Sequence, residues 1–137
     1  MAVVAVSHEK HADLRVSYLN NPLQFTDRSS LPLYGFELGR LASDYPIFFS
    51  PIEDTYGIGM MCSIDPNLGS ACITKKGEWM GFYPPAYIRS QPFSGLINPE
   101  DDQQCVICID NESPMLGEEG KALFDDGEPT EYLKRVV

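Results

Sequence analysis

Eleven prolines and eleven glycines divide the 137-residue chain into short segments. Proline fixes φ and removes a backbone donor, and glycine favours turns, so both residues interrupt long helices. The interruptions therefore predict strands and turns with only short helices. The length suits one domain with a single modest core. We expect an α+β fold, with a mainly antiparallel β-sheet, one main helix and short additional helices, in a single domain over residues 1–137.

The main helix is predicted at residues 33–45. Its apolar residues fall on one stripe at helical spacing, namely Tyr34, Leu38, Leu41, Ala42 and Tyr45. Pro46 ends the pattern, because the residue before a proline resists helical angles. A short helix is also predicted at residues 84–89, where two prolines lie in the first turn.

Six segments have the composition of strands. Residues 11–16 alternate polar with apolar side chains, which would place His11, Asp13 and Arg15 on a solvent face and Val16 in the core. The other predicted strands are a short buried one at 47–49 and further ones at 56–64, 71–74, 104–110 and 122–124.

The last nine residues, 129–137, begin like a helix whose apolar face is Leu133, Val136 and Val137. A helix of about two turns is marginal by itself, so this face has to be covered. We expect the helix to dock on its own domain, with a homodimer as the alternative.

Residues 105–110 read CVICID, with two cysteines at the spacing of a redox dithiol. β-Branched residues fill the interval, which favours a strand over the helix N-terminus that lowers the pKa of a redox cysteine. Positions i and i+3 of a strand point to opposite faces, so we expect no Cys105–Cys108 disulfide. Cys62 and Cys72 stand ten residues apart in predicted strands. Structural thiols are the favoured interpretation of all four, with a metal site and a redox pair as alternatives.

Other catalytic or metal-binding patterns are weak. The sequence contains no Gly-x-Ser-x-Gly elbow, and Gly57 and Gly59 are a fragment of a phosphate-binding loop without its third glycine. His8 and His11 have a spacing that suits a metal on a helix, but the segment from His11 onward alternates like a strand. The acidic runs lack calcium-loop spacing. We therefore predict no catalytic residue, no metal site and no cofactor.

Charge and hydropathy argue against two classes of partner. The formal net charge is −10, and residues 100–137 alone carry 11 acidic and 3 basic side chains. Such a surface repels phosphate backbones, so we expect no nucleic-acid partner. No apolar run approaches the roughly 20 residues of a membrane span. No basic region precedes the apolar residues near the N-terminus, which predicts a cytoplasmic protein, while a surface or secreted role by another route stays open.

Aromatic residues concentrate between positions 79 and 93, together with three prolines. Rigid aromatic surfaces beside prolines suit sugar or peptide ligands. The candidate ligand-binding residues are Trp79, Tyr83, Tyr87 and Arg89. The alternative is that the rings form the core of the domain, and for Trp79 we expect packing against Tyr83 or Tyr87.

Five blocks of sequence resemble the SapC family, which is named for its link to bacterial surface-layer proteins. They occur in the order HADLRV at 11–16, ELGRLASDYPIFF at 37–49, GEWMGFYPPAYIRSQPF at 77–93, CID at 108–110 and GKALFDDGEPTEYLKRV at 120–136. The likeness covers almost the whole chain. Family members usually continue beyond the equivalent of Val137, so the resemblance implies that this is the N-terminal portion and lacks a C-terminal region.

The resemblance implies a function but supplies no catalytic residue. SapC proteins are often associated with surface-layer production or secretion, and some are encoded near flavin-dependent tryptophan halogenases and cupin-like oxygenases. We therefore expect a non-enzymatic accessory or binding protein in a bacterial surface-layer or polysaccharide-handling system, with a protein or glycan partner. The alternative is an oxygenase- or halogenase-linked enzyme, or a partner subunit of one.

Overall fold

The computed structural model describes residues 3–18, 22–98 and 101–136. The contacts divide the chain into two compact units. Unit 1 combines residues 1–20 with 90–137, and unit 2 is the intervening segment, residues 21–89. Each unit has antiparallel strands, short helices and a hydrophobic core of its own, which confirms the α+β class. The single domain over residues 1–137 stays a prediction.

The strands are, in chain order, β1 (Val3–Ala5), β2 (Arg15–Val16), β3 (Ser30–Pro32), β4 (Ile47–Ile52), β5 (Thr55–Met61), β6 (Phe93–Asn98), β7 (Asp101–Asp110), β8 (Leu116–Gly117), β9 (Lys121–Ala122), β10 (Phe124–Asp125) and β11 (Glu128–Pro129). The α-helices are α1 (His8–His11), α2 (Leu38–Leu41), α3 (Ala86–Ser90) and α4 (Glu131–Val136). Short 3₁₀ turns occupy Pro22–Phe25, Gly35–Glu37 and Pro66–Leu68. Within the described residues, no helix has the length and apolar character needed to cross a membrane.

Unit 1 is organised around β7. Its strands pair antiparallel in the orders β1-β7-β6, β8-β2-β9 and β10-β11. Ile109 of β7 lies opposite Val4 on one side and Phe93 on the other, and it is fully buried. β7 contains the predicted strand at 104–110, as its β-branched composition favours. The core of the unit is formed by Val16, Phe93, Ile109, Met115, Leu123 and Leu133.

Cys105 and Cys108 lie in β7, with Cys105 exposed and Cys108 buried. This difference confirms the prediction that their side chains point to opposite faces. Both cysteines, like Cys62 and Cys72, are free thiols.

The terminal helix α4 docks on the core of unit 1. The hydroxyl of Thr130 accepts a hydrogen bond from the N–H of Leu133 at 3.3 Å and donates to the carbonyl of Ala122 at 2.8 Å. Thr130 therefore caps the helix and ties it to β9. Leu133 is buried, and Tyr132 and Val136 pack against the same cluster. The predicted docking within the chain is confirmed for Leu133 and Val136, whereas Val137 lies outside the described residues. The homodimer stays a prediction.

Unit 2 contains one antiparallel sheet in the order β3-β5-β4. The β4–β5 pair is a hairpin with Ile47 opposite Met60 and Ile52 opposite Thr55. One side of the sheet is covered by a core formed from Phe25, Leu31, Leu33, Leu41, Met60, Cys62, Ile73 and Ile88. The helix predicted at 84–89 is present as α3.

The prediction of one long helix at residues 33–45 is wrong. The N–H of Leu33 donates to the carbonyl of Ile58 at 2.8 Å, so this residue continues the sheet instead of starting a helix. Tyr34 is also extended, with a ψ of 143°. A 3₁₀ turn and the four-residue α2 follow. Turns then lead to Tyr45, whose N–H donates to the carbonyl of Leu41 at 3.0 Å.

The prediction that His11 faces solvent from a strand is also wrong. His11 ends α1 and is only 1% exposed. Its Nδ1 lies 3.0 Å from the backbone N of Ser7, and its Nε2 lies 3.3 Å from Oδ1 of Asn111. With the proton on Nε2, Nδ1 accepts from the N–H of Ser7 and Nε2 donates to Asn111, while the carbonyl oxygen of Ser7 also lies 3.0 Å from Nδ1. Both ring nitrogens therefore have polar partners although the ring is buried.

Two further strand predictions need correction in unit 2. Residues 71–74 contribute only an isolated bridge, Ile73 opposite Trp79, because the Ser70 hydroxyl accepts from the N–H of Cys72 and holds a turn there. The strand at residues 47–49 exists within β4 but is not buried. Phe49 is 67% exposed, since the hairpin extends beyond the core on its way to the turn.

Candidate binding site

Tyr83 and Arg89, two of the predicted ligand-binding residues, contact each other in unit 2. The Arg89 guanidinium carbon lies 4.7 Å from the centroid of the Tyr83 ring, and its Nη2 donates to the Tyr83 hydroxyl. The Nε of Arg89 donates to the carbonyl of Pro84 at 3.1 Å. This backbone contact and the short α3 position the guanidinium over the ring, where cation–π attraction holds it.

Arg40 brings a second guanidinium to the same ring. Its central carbon lies 4.0 Å from the Tyr83 centroid. Arg40 belongs to α2, and its side chain is exposed, like that of Arg89. Tyr83 thus joins two cationic side chains that are 49 residues apart in the sequence. We name Arg40, Tyr83, Arg89 and the nearby Glu37 the arginine–tyrosine cluster.

Glu37 lies beneath the arginine–tyrosine cluster and is only 2% exposed. Its Oε1 accepts a hydrogen bond from the N–H of Ala86 at 2.7 Å and lies 3.7 Å from Nη2 of Arg89. Its Oε2 is buried and has no hydrogen-bond partner among the described residues. The carboxylate therefore satisfies a free N–H at the start of α3 and orients Arg89.

The arginine–tyrosine cluster has exposed aromatic side chains next to it in the sequence. Phe36 precedes Glu37, is exposed, and stacks on Tyr34 with ring centroids 5.8 Å apart. Phe82 precedes Tyr83 and is fully exposed. Two exposed apolar rings therefore lie one residue along the chain from members of the cluster.

A sequence model of the SapC family matches residues 6–137. The chain belongs to the SapC family. A search of curated proteins gives no match, and neither does a search of solved structures. The arginine–tyrosine cluster lies within the matched part of this SapC family member.

Trp79 and Tyr87, the other two predicted ligand-binding residues of the SapC chain, pack against the core of unit 2. Trp79 is half-buried and packs on Tyr45, with ring centroids 6.1 Å apart, and on the same core cluster as Tyr83 and Tyr87. Its direct contact with Tyr83 or Tyr87 stays a prediction. Tyr87 packs on Phe25 at 5.6 Å. Both rings support the core of unit 2 from its edge.

Sequence reasoning missed Glu37 and Arg40 as members of the site. The available signal was weak: a helical pattern placed both residues in one predicted helix but indicated nothing about residues 83–89. Only the folded structure shows that Glu37 contacts Ala86 and Arg89 and that Arg40 contacts Tyr83. In the part of the SapC chain that the structure describes, no three His, Cys, Asp or Glu side chains lie close enough to hold a metal ion.

Proposed function

We propose that this SapC family member is a non-enzymatic binding protein of a bacterial surface-layer or polysaccharide-handling system, and that the arginine–tyrosine cluster binds an acidic glycan. The observation that carries the proposal is the pair of exposed guanidinium groups held against the Tyr83 ring. Guanidinium groups bind carboxylates through paired hydrogen bonds. The exposed rings of Phe36 and Phe82 offer flat apolar surfaces for the carbon face of a sugar ring.

Charge also supports an anionic ligand. The arginine–tyrosine cluster contains two arginines and one carboxylate, whereas the whole chain has a net charge of −10. Because Glu37 is buried and already bonded to Ala86, it offsets Arg89 from below and leaves Arg40 uncompensated within the cluster. A local excess of positive charge on an acidic protein favours a negatively charged partner at that point.

The test is calorimetric titration with an oligogalacturonate and with a neutral oligosaccharide of the same length. We expect binding of the acidic sugar only, weakened by salt. Arg40→Gln should weaken binding about tenfold or more, because a hydrogen bond to a charged group contributes about 1.5–3 kcal/mol. Arg40 is suited to this test because its side chain is exposed and contacts a ring that Arg89 also holds.

Arg28→Gln is the matched control, since Arg28 lies 5.7 Å from the Phe25 ring in the same unit but outside the arginine–tyrosine cluster. Its binding constant should equal that of the parent. Equal affinity for the acidic and the neutral sugar, or an equal loss in both arginine variants, would overturn the proposal.

A further inference from the structure

Cys62 and Cys72 form a thiol pair in unit 2, outside the arginine–tyrosine cluster. Cys62 directly follows β5, and Cys72 lies in the turns beyond the 3₁₀ turn at Pro66–Leu68. The two backbone segments lie side by side, since the N–H of Ala71 donates to the carbonyl of Cys62 at 3.0 Å. The Sγ of Cys72 donates a weak hydrogen bond to the same carbonyl oxygen at 3.8 Å. The two thiols also interact closely enough to shift each other's pKa.

The two sulfurs differ in burial and in protonation. Cys62 is 4% exposed, whereas Cys72 is half-buried. The hydrogen bond from Cys62, helped by one from Ser70, lowers the pKa of Cys72 to about 7 although burial opposes this shift. The same thiol–thiol hydrogen bond, together with burial, raises the pKa of Cys62. Near neutral pH a substantial fraction of Cys72 is therefore the nucleophilic thiolate, beside a Cys62 thiol that stays protonated.

A pocket of about 410 Å³ lies beside Cys62, on one side of the thiol pair. Its walls include Cys62 and Ala71, together with the exposed side chains of Ile64 and Leu68. The pocket has room for a small uncharged oxidant. The pocket reaches the Cys62 side of the pair, whereas Cys72 does not line the pocket but is itself only half-buried.

We propose that Cys62 and Cys72 are a peroxide-reactive dithiol that closes an intramolecular disulfide. The Cys72 thiolate attacks one oxygen of hydrogen peroxide, the O–O bond breaks, and hydroxide leaves and takes up a proton to become water. Cys72 is then a sulfenic acid. The Cys62 sulfur, losing its proton to the departing oxygen, attacks the Cys72 sulfur, and a second water leaves. Two thiols are oxidised to one disulfide, and one peroxide is reduced to two waters.

The second cysteine pair of the chain is a built-in control. Cys105 and Cys108 are closer in sequence, but they lie on opposite faces of β7, one exposed and the other buried. A disulfide needs Cβ atoms about 3.5–4.5 Å apart, which a strand does not offer at this spacing. Peroxide should therefore link Cys62 to Cys72 and leave Cys105 and Cys108 unlinked to each other.

The experiment treats the reduced protein with a small excess of hydrogen peroxide, blocks free thiols with N-ethylmaleimide and maps unreduced peptides by mass spectrometry. We expect a Cys62–Cys72 peptide as the main cross-link. In Cys62→Ser, Cys72 has no resolving thiol, so its sulfenic acid should persist and react with dimedone. In Cys72→Ser, Cys62 should stay unmodified. Circular dichroism checks that both variants fold, and the alanine variants replace them if they do not.

The parent protein alone already decides the proposal. Absence of the Cys62–Cys72 peptide at peroxide levels that oxidise Cys105 would overturn it. A dimedone adduct on Cys62 instead of Cys72 in the single variants would overturn the assigned order of attack. The double variant Cys105→Ser, Cys108→Ser should form the cross-link at the parent's rate.

Discussion

The buried carboxylate of Glu37 accepts a hydrogen bond from the backbone N–H of Ala86 at 2.7 Å. This contact joins the turn before α2 to the first residue of α3 across 49 positions of sequence. Pro84 and Pro85 have no backbone N–H, so Ala86 is the first residue after them with a donor, and Glu37 satisfies that donor. The same carboxylate orients Arg89, so the stability of α3 and the geometry of the arginine–tyrosine cluster depend on one side chain.

Glu37→Ala should lower the free energy of unfolding by about 1–2 kcal/mol, because the capping hydrogen bond of α3 is lost. Glu37→Gln keeps an oxygen that can accept from Ala86 and should cost less, since the ion pair with the half-exposed Arg89 contributes little. Urea denaturation measures both. Glu78→Gln, an exposed glutamate of the same unit, is the control and should match the parent. If Glu37→Ala also matches it, the carboxylate does not stabilise α3.

Leu133→Ala tests whether α4 stabilises unit 1. Leu133 is buried in the core of the unit, and truncation of a buried leucine costs about 2–5 kcal/mol. The control is Leu96→Ala, which removes the same atoms from an exposed position of β6 and should cost less than about 0.5 kcal/mol. Thermal unfolding of both variants decides. Equal melting temperatures would mean that α4 does not stabilise unit 1.

Elements with strong local signals could be predicted from the sequence. The β-branched run around Cys105 predicts β7, and the proline pair before Ala86 predicts α3. The apolar face containing Leu133 predicts a docked terminal helix. In each case neighbouring residues determine the backbone, because strand composition, helix starts and amphipathic spacing act over a few positions.

Features that depend on distant partners could not be predicted. The apolar stripe at residues 33–45 satisfies a helical pattern, but pairing of Leu33 with Ile58 in the sheet overrides it. His11 looks solvent-facing until Asn111, one hundred residues later, provides a partner for its ring. Arg40 joins the candidate site for the same reason: its contact with Tyr83 exists only after folding.

Trp79 and Phe82 separate a core role from a ligand-binding role. Trp79 packs on Tyr45 at the edge of the core, so Trp79→Ala should destabilise unit 2 by about 3 kcal/mol, the lower end of the range for large aromatics, because the ring is only half-buried. Phe82 is fully exposed, so Phe82→Ala should leave stability unchanged and weaken oligogalacturonate binding. Denaturation and calorimetry on both variants measure the difference. The reverse pattern would make Trp79 the ligand platform.

The reaction of Cys72 with iodoacetamide should depend on pH with a midpoint at about 7, because only the thiolate reacts and the hydrogen bond from Cys62 lowers the pKa of Cys72 to about 7. Below this midpoint the thiol is protonated, so the rate should fall about tenfold per pH unit. Cys62→Ala removes the donor and should move the midpoint upward, toward the value of about 8.5 for a free thiol.

Peptide mass spectrometry follows each cysteine separately, and the profile of Cys105 should be the same in both proteins. A midpoint for Cys72 that does not change in Cys62→Ala would show that the neighbouring thiol is not the cause of its reactivity.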